Sequence, residues 1–175
     1  MVNATGNELR DFFADLTQDH ARMETRLAAL LRAAGTVGTA ESSDAALAVV
    51  HATLDFLATE GARHEAHEEL TLFPRLRSLP EFKQILSALE FQHRMNNTAT
   101  DELAACLDGF APEKSRELRR LAVRFVEMYR GHAVAEERAL FPLAASVLSP
   151  KVLAEMGREL QERNRAAGAA EVERH

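Results

Sequence analysis

Apolar residues recur every three or four positions in four successive segments of the chain, residues 9–31, 47–73, 82–107 and 118–140. Because this spacing places side chains on one side of an α-helix, each segment is predicted to form an amphipathic helix. Residues with high helix propensity, above all Ala, Leu, Glu and Arg, dominate the composition. The pattern therefore indicates four helices that each bury one face.

Glycines, prolines and a capping pattern separate the four segments. Residues 5–8 have the spacing of a capping box that opens the first helix. Gly35 and Gly38 follow its end, and Pro80 fits the first position of the third helix. Pro142 is expected to end or kink the fourth helix, because proline disrupts a regular helix from within.

A shorter fifth helix is predicted from Pro150 to about Asn164, and residues 166–175 are small and charged enough to form a flexible tail. Four long helices joined by short connections are typical of an up-and-down bundle. We therefore expect an all-α protein, an up-and-down antiparallel four-helix bundle with a short extra C-terminal helix. The bundle is expected to occupy residues 1–165.

Composition and charge exclude several classes of function. The formal net charge is −6, and no run of basic residues supplies a groove for phosphates, so nucleic acid is not an expected partner. The single cysteine, Cys106, excludes a disulfide or a cysteine metal site within one chain. No stretch approaches the ~20 apolar residues of a membrane span, and the polar first residues do not resemble a signal segment. We therefore expect a cytoplasmic protein with no membrane partner.

Two eleven-residue segments resemble each other, residues 64–74 (HEAHEELTLFP) and 132–142 (HAVAEERALFP). Six of the eleven positions are identical: the first His, the two adjacent Glu and the closing Leu-Phe-Pro. Each copy lies at the C-terminal end of a predicted helix, the second or the fourth. Since those two helices run parallel in an up-and-down bundle, the copies are expected to face each other across the core.

Each copy carries a His and a Glu four residues apart, on the apolar face of its helix. The first and third helices each place one further His on their apolar faces. Burying carboxylates and imidazoles is costly unless they are paired or bind a metal, and a sulfur-free set of nitrogen and carboxylate ligands suits a pair of iron or manganese ions. The candidate metal ligands are His20, His64, Glu68, His93, His132 and Glu136.

Simpler interpretations exist for each part of this set. A lone His on an apolar face is more often a hydrogen-bonded core residue than a ligand, and one His-x-x-x-Glu is common on helix surfaces. A ferritin-like di-iron bundle would need Glu-x-x-His on two helices, and Glu90 with His93 is its only copy here. His51 and His67 point away from the stripe and are interpreted as flank or surface residues. The doubled pattern with two further inward histidines favours the metal hypothesis.

The doubled His-x-x-x-Glu-Glu-x-x-Leu-Phe-Pro pattern resembles the hemerythrin-like, or HHE cation-binding, domains, and the match covers nearly the whole chain, from Asp19 and His20 to Pro142. The resemblance implies a non-haem centre of two iron ions bridged by an oxo or hydroxo group. It further implies that Glu68 and Glu136 are bridging carboxylates and that the four histidines are terminal ligands.

One position departs from the oxygen carriers of this family, which place two histidines four residues apart on the third helix. Here Asn97 stands four residues after His93, so reversible oxygen carriage is not the expected role. The remaining ligand set is similar to that of shorter bacterial hemerythrin-like proteins and of di-iron proteins that repair iron–sulfur clusters. The repair proteins carry a further cysteine-containing domain, which we do not expect here.

Residues near this position could contact the ligands from outside. Tyr129 lies one turn before His132 on the inward face, where its hydroxyl could approach the metals, although packing is the commoner role of a tyrosine there. Metal-bound imidazoles usually donate their other N–H to an acceptor. The candidates for such outer contacts are Glu24, Glu65, Asn97 and Tyr129, although a solvated surface charge is the commoner role of a glutamate such as Glu24 or Glu65.

The leading hypothesis is a di-iron protein that binds or reacts with a small oxidant, namely dioxygen, peroxide or nitric oxide. Consumption of peroxide or nitric oxide would make it an enzyme, with the catalysis carried by the metals and not by side chains. The alternative is a module for iron storage or for iron or oxygen sensing, without turnover. A third interpretation is a metal-free helical interaction domain. The sequence does not indicate the oligomeric state.

Overall fold

The computed structural model describes residues 12–38 and 43–172, and all regular secondary structure within these ranges is helical. It consists of α1 (Phe12–Thr36), α2 (residues 43–76), α3 (Lys83–Leu107), α4 (residues 115–147) and α5 (Pro150–Val172). Single 3₁₀ turns, Pro80–Phe82 and Pro112–Lys114, lead into α3 and α4. The expected all-α fold is confirmed, whereas the expected capping box at residues 5–8 lies outside the described residues.

The first four helices form a closed ring of neighbours. Helix α1 packs against α2 and α4, and α3 packs against α4 and α2. Their inner faces bury apolar side chains in two layers. The first layer includes Met23, Leu27, Leu30, Leu103, Leu118 and Phe125. The second layer includes Phe12, Leu16, Leu72, Phe73, Leu89, Leu140 and Phe141.

A polar layer separates the two apolar layers. Along α1, for example, Leu16 belongs to the second layer and Met23 to the first, and His20 lies between them. The same order, apolar then polar then apolar, holds in the other three helices. The periodicity that forms the bundle therefore also fixes the height at which polar side chains meet.

Two wide π-helical turns, Glu68–Leu72 in α2 and Glu136–Leu140 in α4, occur at equivalent places in the two repeats. In each, the N–H of the phenylalanine before the proline donates to the carbonyl of the glutamate five residues earlier. A wide turn accommodates the proline, whose ring would collide with the carbonyl four residues earlier in a regular α-helix. Pro142 therefore does not end α4, which continues to Val147, so of the two expected outcomes, a helix end or a kink, the helix end was wrong.

Helix α5 covers the end of the bundle that contains the second apolar layer. Met156 and Leu160 are 0% and 2% exposed and belong to that layer. The helix also packs against α1 and against the Glu68–Leu72 turn. It is longer than predicted, since it extends to Val172 and includes part of the expected tail. The division into a bundle and a flexible tail stays a prediction.

Within residues 12–38 and 43–172, no helix combines the length and the apolar character needed to cross a bilayer.

Replacing Met156 with Ala is expected to lower the free energy of unfolding by about 2–4 kcal/mol, because it leaves a cavity in the second apolar layer. Chemical denaturation monitored by circular dichroism measures the change. Arg158→Ala, on the exposed side of the same helix, is the control and should change stability by less than about 0.5 kcal/mol. Equal effects of the two substitutions would show that α5 does not pack as described.

Candidate metal centre

The six candidate ligands meet in the polar layer of the bundle, and each is at most 5% exposed. Every one of the four bundle helices contributes a histidine, and α2 and α4 add one glutamate each. They form two groups, and within each group the potential ligand atoms lie within 4.8 Å of one another. The groups are His20, His64, Glu68 and Glu136, and Glu68, His93, His132 and Glu136.

The two glutamates belong to both groups. Each directs one of its two carboxylate oxygens toward the first group and the other oxygen toward the second group. Oε2 of Glu136 lies 3.1 Å from Nε2 of His20, and its Oε1 lies 3.1 Å from Nε2 of His132. Oε1 of Glu68 lies 3.7 Å from Nε2 of His64, and its Oε2 lies 3.2 Å from Nε2 of His93. Each of the two carboxylates could therefore offer an oxygen to a cation held in either group.

The histidines also face each other in pairs through their Nε2 atoms. The two Nε2 atoms are 3.1 Å apart in the His20–His64 pair and 3.2 Å apart in the His93–His132 pair. Imidazole nitrogens at about 2 Å from one ion and at right angles to each other lie about 3 Å apart. The spacing of each pair therefore fits a shared metal ion.

The carboxylates of Glu68 and Glu136 depend on a positive charge for their stability. Both side chains are fully buried, and none of their four oxygens accepts a hydrogen bond from the described residues. A buried carboxylate without compensation costs several kcal/mol. Metal ions held within the two groups would satisfy all four oxygens, so the residues present fit a pair of cations.

Outward-facing acceptors orient two of the imidazoles. Nδ1 of His20 donates to Oε1 of Glu137, and Nδ1 of His93 donates to Oε1 of Glu69, each at 2.8 Å. Since an ionised carboxylate only accepts hydrogen bonds, Nδ1 carries the proton in both rings. When either ring is neutral, the lone pair of its Nε2 points into the centre, as metal binding requires.

The other two imidazoles have different outer neighbours. Nδ1 of His132 donates to Oε1 of Gln92 at 3.1 Å. Nδ1 of His64 lies 3.6 Å from Oδ2 of Asp19, close enough for an electrostatic contact. Asp19 and Gln92 occupy equivalent positions, directly before His20 and His93. One pair of histidines thus has a charged neighbour where the other has a neutral amide.

Phenylalanines from the repeats stack on the same histidines that the outer glutamates orient. Phe73 stacks on His93 with ring centroids 5.8 Å apart, and Phe141 stacks on His20 at 5.9 Å. These rings belong to the second apolar layer and separate the imidazoles from water. Each repeat therefore supports a histidine of a neighbouring helix as well as its own.

Sequence reasoning missed the outer glutamates. Glu69 and Glu137 lie one residue beyond the ligands Glu68 and Glu136, off the face that the helical spacing selects. The signal was present, because this second glutamate is identical in the two repeats. Gln92 and Asp19 left no such signal, since their roles depend on the helix opposite.

Burial, reinforced by the Glu136 charge, raises the pKa of Glu68 to about 7, and burial raises the pKa of Glu136 to about 8. Burial alone would lower the pKa of His93, but the carboxylates of Glu68 and Glu69 outweigh it and raise the pKa to about 9. Burial and the nearby His93 charge lower the pKa of His132 to about 2. Without metal, protons bound to Glu68, Glu136 and His93 therefore take the place of the metal ions.

The family model for the hemerythrin HHE cation-binding domain matches residues 11–171, nearly the whole chain. The chain belongs to the hemerythrin HHE cation-binding family. It is also 28% identical over 123 residues to an uncharacterized protein of Haemophilus influenzae, an alignment that covers 69% of this chain and 71% of the relative. Family membership and the buried His and Glu groups together support metal binding.

Three of the four candidate outer residues of this HHE domain line one cavity beside the ligands. Asn97 is exposed and donates to Oε2 of Glu65 at 3.1 Å, across the groove between α2 and α3. Tyr129 packs its ring between His20 and His132, with centroids 6.4 Å and 6.2 Å away. Burial, followed by the Glu136 charge, raises the pKa of Tyr129, so its hydroxyl stays protonated.

Glu24, a candidate outer residue whose commoner role is a solvated surface charge, is exposed and pairs with Nε and Nη2 of Arg130. The expectation for His67 was wrong. His67, expected at the flank or surface, is 1% exposed and donates through Nε2 to Asn164 of α5, and Arg163 donates to its Nδ1. Burial lowers the pKa of His67 to about 4. The predicted bundle did not include the packing of α5 that covers this face of α2.

The metal-free protein is expected to lose stability as pH rises from 6.5 to 9. The pKa values of Glu68, Glu136 and His93 are raised above those of the unfolded chain, so the folded state binds more protons in this window. The lowered pKa values of His67 and His132 oppose this trend near pH 6.5, where unfolded imidazoles are about half protonated, and their effect fades as pH rises further. Thermal unfolding in the presence of a chelator at pH 6.5, 7.5 and 8.5 measures the trend.

Metal loading should reverse this trend, because ions bind the deprotonated ligands and displace the protons. The difference in Tm between loaded and metal-free protein is therefore expected to grow with pH. A metal-free Tm that rises between pH 6.5 and 8.5 would contradict the proton-holding centre.

Proposed function

We propose that this HHE domain is a non-haem di-iron protein that binds or reacts with a small oxidant, namely dioxygen, peroxide or nitric oxide. The observation that carries the proposal is the position of Glu68 and Glu136, which each direct one oxygen toward either pair of histidines. Carboxylates shared in this way, projecting inward from bundle helices, are typical of paired metal sites in helical bundles.

The donor atoms favour iron. Each pair of histidines offers two imidazole nitrogens, the shared glutamates add carboxylate oxygens, and no sulfur belongs to either group. Ligand sets of imidazole and carboxylate that leave positions open are characteristic of non-haem iron that reacts with oxygen species. Two iron ions, when bound, would supply a redox pair able to exchange electrons with such an oxidant.

The protein's own residues would orient the ligands and exclude water. Hydrogen bonds from Nδ1 to Glu69 and Glu137 hold two of the imidazoles in one tautomer. The stacked rings of Phe73 and Phe141 cover the same imidazoles on the side of the second apolar layer. A preoriented centre that is shielded from water on this side admits only small molecules.

Metal analysis combined with an optical spectrum tests the proposal. Protein purified from iron-supplied cells is expected to contain two iron ions per chain and to show near-ultraviolet absorption of bridged ferric iron. Rapid consumption of peroxide or nitric oxide would indicate an enzyme, whereas reversible binding without turnover would indicate a sensor or storage module. Absence of stoichiometric iron uptake would refute both. The cytoplasmic location and the absence of nucleic-acid and membrane partners stay predictions.

His132→Ala is expected to remove at least one of the two iron ions, because it deletes one imidazole of a histidine pair. Loss of a metal ligand should also lower Tm, since ligands from four helices couple metal binding to folding. Metal content per chain is the measurement. His51→Ala, an exposed histidine on α2, is the matched control and should keep both ions. Two ions retained by His132→Ala would show that the ligand assignment is wrong.

A further inference from the structure

A cavity of about 240 Å³ lies beside the ligands and opens between α2 and α3. Exposed residues such as Ala58 and Ala62 form its rim, and the buried His64 and His132 lie at its inner end. These two histidines belong to different pairs, so the cavity reaches both halves of the centre. Its volume is below the roughly 300–1,000 Å³ of pockets for organic ligands, and it therefore suits only a small molecule.

Two buried polar side chains line this cavity without a partner. Asn96 is 4% exposed, and neither its Nδ2 nor its Oδ1 makes a hydrogen bond with the described residues. Tyr129 is 7% exposed, and its hydroxyl also has no partner among them. Because an unpaired buried donor costs stability, such groups in a native protein require an explanation. A ligand in the cavity that accepts hydrogen bonds would provide one.

The two halves of the bundle, α1 with α2 and α3 with α4, are similar, and a difference between equivalent positions shows how the cavity arises. Tyr129 stands three residues before His132, and its equivalent three residues before His64 is Gly61. Gly61 has ordinary helical dihedral angles, and a Cβ there would lie 3.4 Å from Cε of Met23. The backbone therefore does not require a glycine at position 61. The missing side chain of Gly61 leaves space in the cavity that Tyr129 also lines.

The other pair of equivalent positions makes the cavity polar on one side. Asn96 stands three residues after His93, and its equivalent three residues after His20 is Met23. Both residues line the cavity. One half of the bundle thus contributes an apolar wall with open space, and the other half contributes an amide and a hydroxyl.

We propose that Asn96 and Tyr129 form a subsite that donates hydrogen bonds to a small ligand at the centre, and that Gly61 provides the space for it. The class of ligand is a small anion or polar diatomic molecule with acceptor atoms. The subsite rests on the proposed di-iron function, since the ligand would approach the ions from this side. Asn96 and Tyr129 determine which small ligands bind and do not hold the metal.

Azide is the probe, because it is a small acceptor anion whose binding to ferric iron gives a visible charge-transfer band. Its dissociation constant is measured on di-ferric wild-type protein and on Tyr129→Phe and Asn96→Leu. Each variant is expected to raise the azide Kd about fivefold to tenfold, the effect of losing one hydrogen bond. Iron content should stay at two ions, and Tm should not fall, because each substitution removes an unpaired buried polar group.

Gly61→Ala separates the effect on the cavity from damage to the fold. Alanine fits the helical backbone and should raise Tm, while its methyl group narrows the cavity and should raise the azide Kd about tenfold. Gly131→Ala is the matched control, since Gly131 is an exposed helical glycine and an added Cβ would have no neighbouring atom within 4 Å. It should raise Tm and leave the azide Kd unchanged.

An azide Kd within twofold of wild type in all three cavity variants, with two ions retained, would overturn the subsite and leave the di-iron function intact. Parallel losses of Tm, iron and azide affinity in Tyr129→Phe and Asn96→Leu would show a structural role and would also overturn it. A wild-type protein that binds no iron would instead refute the proposed function, and the subsite with it.

Discussion

Two carboxylates, Glu68 and Glu136, are fully buried in the middle of the bundle without a hydrogen bond from the described residues. Such groups can remain in a core only if protons or cations neutralise them. The four surrounding imidazoles direct Nε2 toward them, and three of these rings donate from Nδ1 to an outer acceptor. The arrangement of the four helices around this layer thus follows from two charges that need compensation. The raised pKa values of both glutamates show the same requirement in the absence of metal.

Both eleven-residue repeats help to meet this requirement, and each of their six identical positions has a physical role. In each repeat, the His and first Glu face the centre, and the second Glu orients a histidine of the neighbouring helix. The Leu fills the second apolar layer, the Phe stacks on that same neighbouring histidine, and the Pro follows the wide turn. Because the copy on α2 supports His93 and the copy on α4 supports His20, each copy ties two helices together. The centre therefore also organises the packing of the bundle.

The sequence was sufficient for the helices and for the residues that meet in the centre, because both follow from spacings of three and four along single helices. The sequence was insufficient wherever the position or burial of a side chain depended on a neighbouring helix. Helical spacing left Glu24 as either an outer contact of the ligands or a solvated charge, and its pairing with Arg130 of α4 depends on the neighbouring helix. His67 was expected at the flank or surface, but α5 covers it. Pro142 indicated a helix end or a kink, and the hydrophobic pattern gave no sign of the wide turn that allows α4 to continue past it.

The two halves of the centre are nearly equivalent in their ligands and differ in their surroundings. The Nε2 separations are 3.1 Å and 3.2 Å, and the outer hydrogen bonds to Glu137 and Glu69 are both 2.8 Å. The residues one turn away differ, with Gly61 opposite Tyr129 and Met23 opposite Asn96. A symmetric ligand set gives an incoming molecule no preferred side. In the proposed function, the direction of approach and the choice of ligand would depend on these unequal neighbours, which all line the cavity between α2 and α3.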